Sequence, residues 1–201
     1  MGGVNDSGES TASRAESVLL FWFADEPGSK EMSLSRWFFP TPEFDGLCTT
    51  RFLASYEDAA HGRLDDWKND PRSCLALVLL LDQFPRNMFR GTARAFATDA
   101  KARELTRHAI ASGFDRELSP IMRMFLYLPL EHSENLNDQL ESVRLTSELV
   151  SENRDYTEIL EYAEQHLKTF RRFGRFPGRN DALGRQSTQE ELNFLKDQKL
   201  K

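Results

Sequence analysis

The chain has 201 residues, 39% apolar and 29% charged, which is enough for one domain with a buried core. Its formal net charge of −6 supplies no global positive field to draw it to nucleic acid or to an acidic membrane surface. The composition excludes collagen-like, membrane-embedded and disordered chains.

Met1 to Ser13 is rich in Gly, Ser and Asp and has no apolar run, so it reads as a disordered N-terminus at 1–13 and not as a signal peptide. Asp6 stands where a myristoylation motif needs Ser or Thr. One all-helical domain is expected over 14–201. Its predicted helices span 14–24, 42–60, 71–83, 92–111, 120–128, 132–150, 156–173 and 189–197. Thr41-Pro42, Asp70-Pro71 and Ser119-Pro120 each place a capping side chain before a proline at the first helical position. Asp155–Glu158 and Thr188–Glu191 read as capping boxes. His61-Gly62, Ser112-Gly113 and Phe173-Gly174 supply stop signals. Strand signals are nearly absent, and the leucine-rich run Cys74–Leu81 after Asp70-Pro71 reads as a buried helix. Cys48 and Cys74 lack any ligand spacing and read as small buried residues, consistent with a cytoplasmic protein. Short loops between helices imply antiparallel hairpins, stacked as a tetratricopeptide-like α-solenoid.

Two segments look wrong for plain connectors. In Leu81–Gly91 a greasy helix runs into Asp82 and Gln83, Pro85 is expected to stop it, and Arg86, Arg90 and Arg94 follow at intervals of four. Phe170–Asn180, with Gly184-Arg185 beyond, carries five Arg and three Phe around glycines and a proline. The segments echo each other: Phe84-Pro85-Arg86-Asn87 against Phe176-Pro177-Gly178-Arg179-Asn180. Residues 86–94 and 171–185 hold eight of the 19 arginines and a single acid, Asp181. Arg forks onto carboxylate and phosphate, so an acidic protein with two basic, aromatic-flanked turns points to an anionic ligand.

Between them, Arg123 and Tyr127 share a helical face, and Pro129 resets the chain so that His132 and Glu134 turn inward. His132 is a candidate acid/base if a carboxylate orients it. His166 sits among apolar residues and reads as a seam histidine. Phosphate-loop, dinucleotide, zincin and serine-hydrolase motifs are absent. Glu131 and Glu134 project differently from His132, so no metal site is expected, and nothing implies a cofactor. Arg172–Phe176 lacks the glycine of an RNA-recognition element, whose fold also needs a sheet.

Taken together, Phe21-Trp22-Phe23, Trp37-Phe38, Leu79–Asn87, Tyr127-Leu128-Pro129, His132-Ser133-Glu134 and Phe173–Pro177 with Arg179-Asn180 closely resemble a widespread bacterial family of unknown function. The resemblance runs from about Ala15 to Leu195. It implies an all-helical, tetratricopeptide-like fold and names no activity. One departure is that the family usually has His where this chain has Gly178.

The resulting expectation is a small carboxylate or phosphate ligand in an Arg-lined cleft. Asp82, Arg86, Asn87, Arg90, Arg123, Arg175, Arg179 and Asn180 would bind it, and His132, Glu134 and Tyr127 would be available for proton transfer. The rival binding reading is a helical groove that clamps an acidic peptide or a protein C-terminus. A structural reading makes Asp82, Arg86, Glu134 and Arg179 a buried network that fixes helix register.

Overall fold

The computed structural model describes residues 11–23, 37 and 40–198. Most of the expected disordered N-terminus lies outside them, as do residue 24 and Phe38, whereas residues 11–13 are helical. The helices are α1 (Thr11–Phe23), α2 (Pro42–Ala60), α3 (Pro71–Met88), α4 (Asp99–Ala111), α5 (Pro120–Glu131), α6 (Leu136–Glu152), α7 (Thr157–Phe173) and α8 (Gln189–Gln198). Short 3-10 turns lie at Asp65–Asn69, Ala93–Phe96, Phe114–Glu117, Arg154–Tyr156 and Pro177–Arg179. No strand occurs among the described residues.

Local chemistry sets most boundaries. Thr41 accepts from the Phe44 amide, and Asp70 accepts from those of Arg72 and Ser73. Thr188 and Glu191 form a reciprocal capping box, each accepting the other's amide. Gly174 takes the left-handed conformation that ends α7, at φ +68°. The other box differs from expectation. Asn153, and not Asp155, is the capping side chain, and it starts a 3-10 turn before α7.

α3 is apolar all round from Cys74 to Leu81 and buried accordingly. It packs against α1, α2, α4 and α5, each fully buried leucine contributing about 1.5–3 kcal/mol. The odd-numbered helices α1, α3, α5 and α7 contact one another in series, and the even-numbered ones pack on their sequence neighbours. Trp22, Phe52, Phe84 and Phe125 fill the centre with rings 5.0–5.7 Å apart.

Four predicted boundaries are corrected, around the C-terminal ends of α3 and α5. α3 does not stop at Pro85 but continues to Met88. Proline removes the amide that the Leu81 carbonyl needs, and the Thr98 hydroxyl supplies a donor instead at 2.5 Å. One residue on, the Asp82 carbonyl accepts from Arg86 Nη1. α5 also passes through Pro129, to Glu131; Pro129 withholds the amide of the Phe125 carbonyl, and Thr106 adds a donor one residue on, at the Leu126 carbonyl. The expected helix over 92–111 is two elements, broken where Thr98 turns its hydroxyl onto α3. The helix expected from 132 begins at Leu136, capped by Asn135. Gln139 donates to the carbonyls of Glu131 and Ser133 and holds the corner, so His132 ends α5.

Candidate functional site

The C-terminal end of α3, the start of α4, the end of α5 and the 177–179 turn meet at one place. Asp82 is fully buried, nearly two turns before the end of the central helix. Its carboxylate accepts from the Gln83 amide at 2.6 Å and lies 3.2 Å from Arg86. Both of its oxygens are 2.9 Å from His132 Nδ1. Arg86 grips Asp99 with two parallel bonds of 2.9 and 3.0 Å. Arg179 reaches the same Asp99 at only 3.3 Å and donates to the His132 carbonyl at 2.8 Å. Its guanidinium is close to two rings, 4.8 Å from the centre of Phe96 and 4.9 Å from that of Phe176.

Electrostatics follow from this burial. Desolvation opposes the Asp82 charge, but Arg86 and then His132 outweigh it and hold the carboxyl well below the usual range. Burial, reinforced by Arg86, pushes His132 down to about 4, so the imidazole is neutral at pH 7. With Nδ1–H donated to Asp82, Nε2 carries the lone pair. Among the described residues no group bonds Nε2, and the side chain, 15% exposed, leaves that atom in touch with solvent. Burial, and then Arg86, lower Arg179 to about 10. An oriented neutral imidazole beside a guanidinium with a weak carboxylate contact can take a proton from an anion-bearing ligand.

A second layer ties the C-terminal segment down. Glu134 accepts from the Phe176 amide at 2.7 Å and from both Arg185 terminal nitrogens at 2.7 and 3.0 Å. Asn180, fully buried, accepts from Arg185 Nε and donates to Ser187. Arg175 pairs with Glu191 through two bonds. Glu134, Arg175 and Asn180 thus surround the site and hold the turn that carries Arg179.

The remaining sequence candidates lie elsewhere. Tyr127 donates to Asp115 at 2.8 Å, with Arg123 alongside and paired to Glu152. Burial pushes the Tyr127 hydroxyl up to about 12. Arg90 pairs with Asp45, and Asn87 bonds the Gln83 carbonyl while accepting from Arg90. Arg94 pairs with Glu57, so the three arginines at intervals of four do not share a face.

Phe96 and Asp99 were not singled out by the sequence, Arg185 was read only as part of the second basic segment, and Glu131 only in setting a metal site aside. Asp99 follows Thr98, and that pair is a helix-start signal hidden by the apparent continuity of 92–111. Separately, an open cleft of about 430 Å³ is lined by Glu16, Asp66, Trp67, Asp70 and Arg72. It sits at the opposite end of α3, roughly 15 Å along the axis. Its Glu16–Arg72 pair and its Asp70 cap already satisfy each other.

Among the described residues no group of three or more His, Cys, Asp or Glu side chains is placed to hold a metal ion. No helix there is long and apolar enough to cross a membrane.

Residues 18–199 match the family model described as a bacterial protein of unknown function, DUF924. The chain therefore belongs to that family. A solved structure of a protein of unknown function, ATU0120 from Agrobacterium tumefaciens, is 40% identical and superposes with a TM-score of 0.81. The match covers 93% of this chain and 99% of that one. No curated protein shows significant similarity to the chain.

Proposed function

We propose that this member of the family binds a small anionic ligand, a carboxylate or a phosphate, beside Arg179, and that His132 serves there as a general base oriented by Asp82. The observation that carries the reading is the His132 ring: Nδ1 committed to a buried carboxylate, Nε2 unbonded and in touch with solvent. Arg179 supports it as the cation with the weaker hold on Asp99. Arg86 belongs to the frame, since both of its terminal nitrogens are spent on Asp99. Among the other candidates, Glu134, Arg175 and Asn180 position the Arg179 turn, whereas Tyr127, Asn87, Arg90 and Arg123 stand outside the site.

We read the stacking of the odd-numbered helices as tetratricopeptide-like, with the site at one end of their shared stripe. A cytoplasmic location suits the two buried free thiols; burial pushes that of Cys74 up to about 12, which makes it inert.

The test is thermal unfolding of the full chain with phosphate, acetate, citrate and an acidic C-terminal peptide. An anion at about a hundred times its Kd adds roughly 2.7 kcal/mol, and Arg179→Gln removes that gain. Stabilisation by the peptide alone favours the helical groove that clamps an acidic partner. No stabilisation by any of them overturns the ligand site.

A further inference from the structure

His132 is not the only imidazole here. His166, projecting from α7, lies with its ring centre 6.3 Å from that of His132, the two planes inclined by 64°. Its Nδ1 lies 3.0 Å from a carboxylate oxygen of Glu131, the residue immediately before His132, and 2.9 Å from the Tyr162 carbonyl. A carbonyl only accepts, so Nδ1 carries the hydrogen and Nε2 is the edge left for another group. Among the described residues no group bonds that edge, and the side chain is 35% exposed. Phe176 meets the ring edge-on at 5.4 Å, on the same side chain that lies under Arg179.

Packing does not account for Glu131. Its carboxylate is buried beside the His166 imidazole, and its pKa is pushed up first by desolvation and also by Asp82. A buried carboxylate costs desolvation that apolar side chains of similar volume would not. Two consecutive residues, Glu131 and His132, therefore each enter a carboxylate–imidazole pair. His166 and Arg179 both lie against Phe176, and His132 adjoins each of them, its ring facing His166 and its carbonyl bonded by Arg179.

On the reading that His132 and Arg179 form a ligand site, we propose that His166 is its second ligand-contacting imidazole and that the ligand's anionic group is a phosphate. A neutral imidazole accepts at Nε2 and an imidazolium donates there, while guanidinium only donates. A phosphate monoanion offers both an O–H and charged oxygens, arranged on several faces. A carboxylate offers only one planar fork.

The experiment is a titration of inorganic phosphate, with acetate in parallel, into the full chain carrying isotope-labelled histidine, followed by NMR of the ring signals. His132 and His166 signals are expected to move on one saturation curve. His61 and His108, bonded elsewhere to backbone carbonyls, should stay still. His166→Phe is expected to weaken phosphate binding at least tenfold; the wild-type titration decides the matter if that variant does not fold. Movement of His132 without His166, or saturation by acetate at lower concentration than phosphate, overturns this inference and leaves the general-base site standing. If neither ring responds to either anion, both fall.

Discussion

Two turns of similar sequence, Phe84–Asn87 and Phe176–Asn180, meet at Asp99, and each brings one arginine to it. Pro85 lies inside a helix, so Arg86 leaves a rigid, buried backbone and closes a two-bond fork on Asp99 while also lying against Asp82. Pro177 begins a 3-10 turn with Gly178 interposed, and Arg179 reaches Asp99 with a single longer contact between two phenylalanine rings. The same side chain in nearly the same motif is a strut in one case and a reserve of positive charge in the other. What separates them is how many acceptors each fork has already met.

The widest separation should appear on truncation. Arg86→Ala takes a guanidinium from the fully buried Asp82 and the two-bond fork from the part-buried Asp99, and is expected to cost about 3 kcal/mol in urea unfolding. If Arg179→Gln costs as much, the division of labour collapses. The next effect is one of pH. The ordinary His132 value is 6.5 and the folded one about 4, so between them the unfolded chain binds the extra proton. Stability should be full above pH 6.5 and fall by about 1–3 kcal/mol as pH drops towards 4, a slope that His132→Gln should flatten. Thr98→Val leaves the Leu81 carbonyl without its donor and should cost about 1–3 kcal/mol, while the ends of α3 beyond Pro85 lose amide protection. The smallest change in stability, about 1 kcal/mol, belongs to Arg179→Gln, which gives up a carbonyl bond and its ring contacts but should abolish the response to anions.

Much of the helical architecture was legible because caps and glycines are local: Thr41-Pro42, Asp70-Pro71, Thr188–Glu191 and Gly174 act within a few residues of themselves. Asp82, Arg86, His132 and Arg179 were also legible, as residues whose charge made no sense on a greasy helix or a plain loop. The partners were not. Asp99 sits in what reads as an unbroken helix, and Glu131 looks like a surface residue beside a histidine. Arg90 and Arg123 share the residue type of the site arginines, and Arg90 follows Arg86 by four residues. Their acids, Asp45 and Glu152, are 45 and 29 positions distant, and no local signal joins them. The helix ends were missed for the same reason. Proline is a stop by local rules, and at Pro85 it is a hydroxyl from another element, that of Thr98, that makes up for the missing amide.

Those hydroxyls have a consequence for how the molecule assembles. Thr98 and Thr106 bracket the first half of α4; Thr98 gives the Leu81 carbonyl the donor that Pro85 withholds, and Thr106 adds a bond to the Leu126 carbonyl of α5. The final turn of α3, which holds Arg86, is complete only once that segment has docked, and the same segment ties down the last turn of α5, before His132. The two sides of the site therefore form and open together as a single cooperative unit. Amide exchange beyond Pro85 and beyond Pro129 should share one opening free energy, set by the hold of α4 and not by either helix alone.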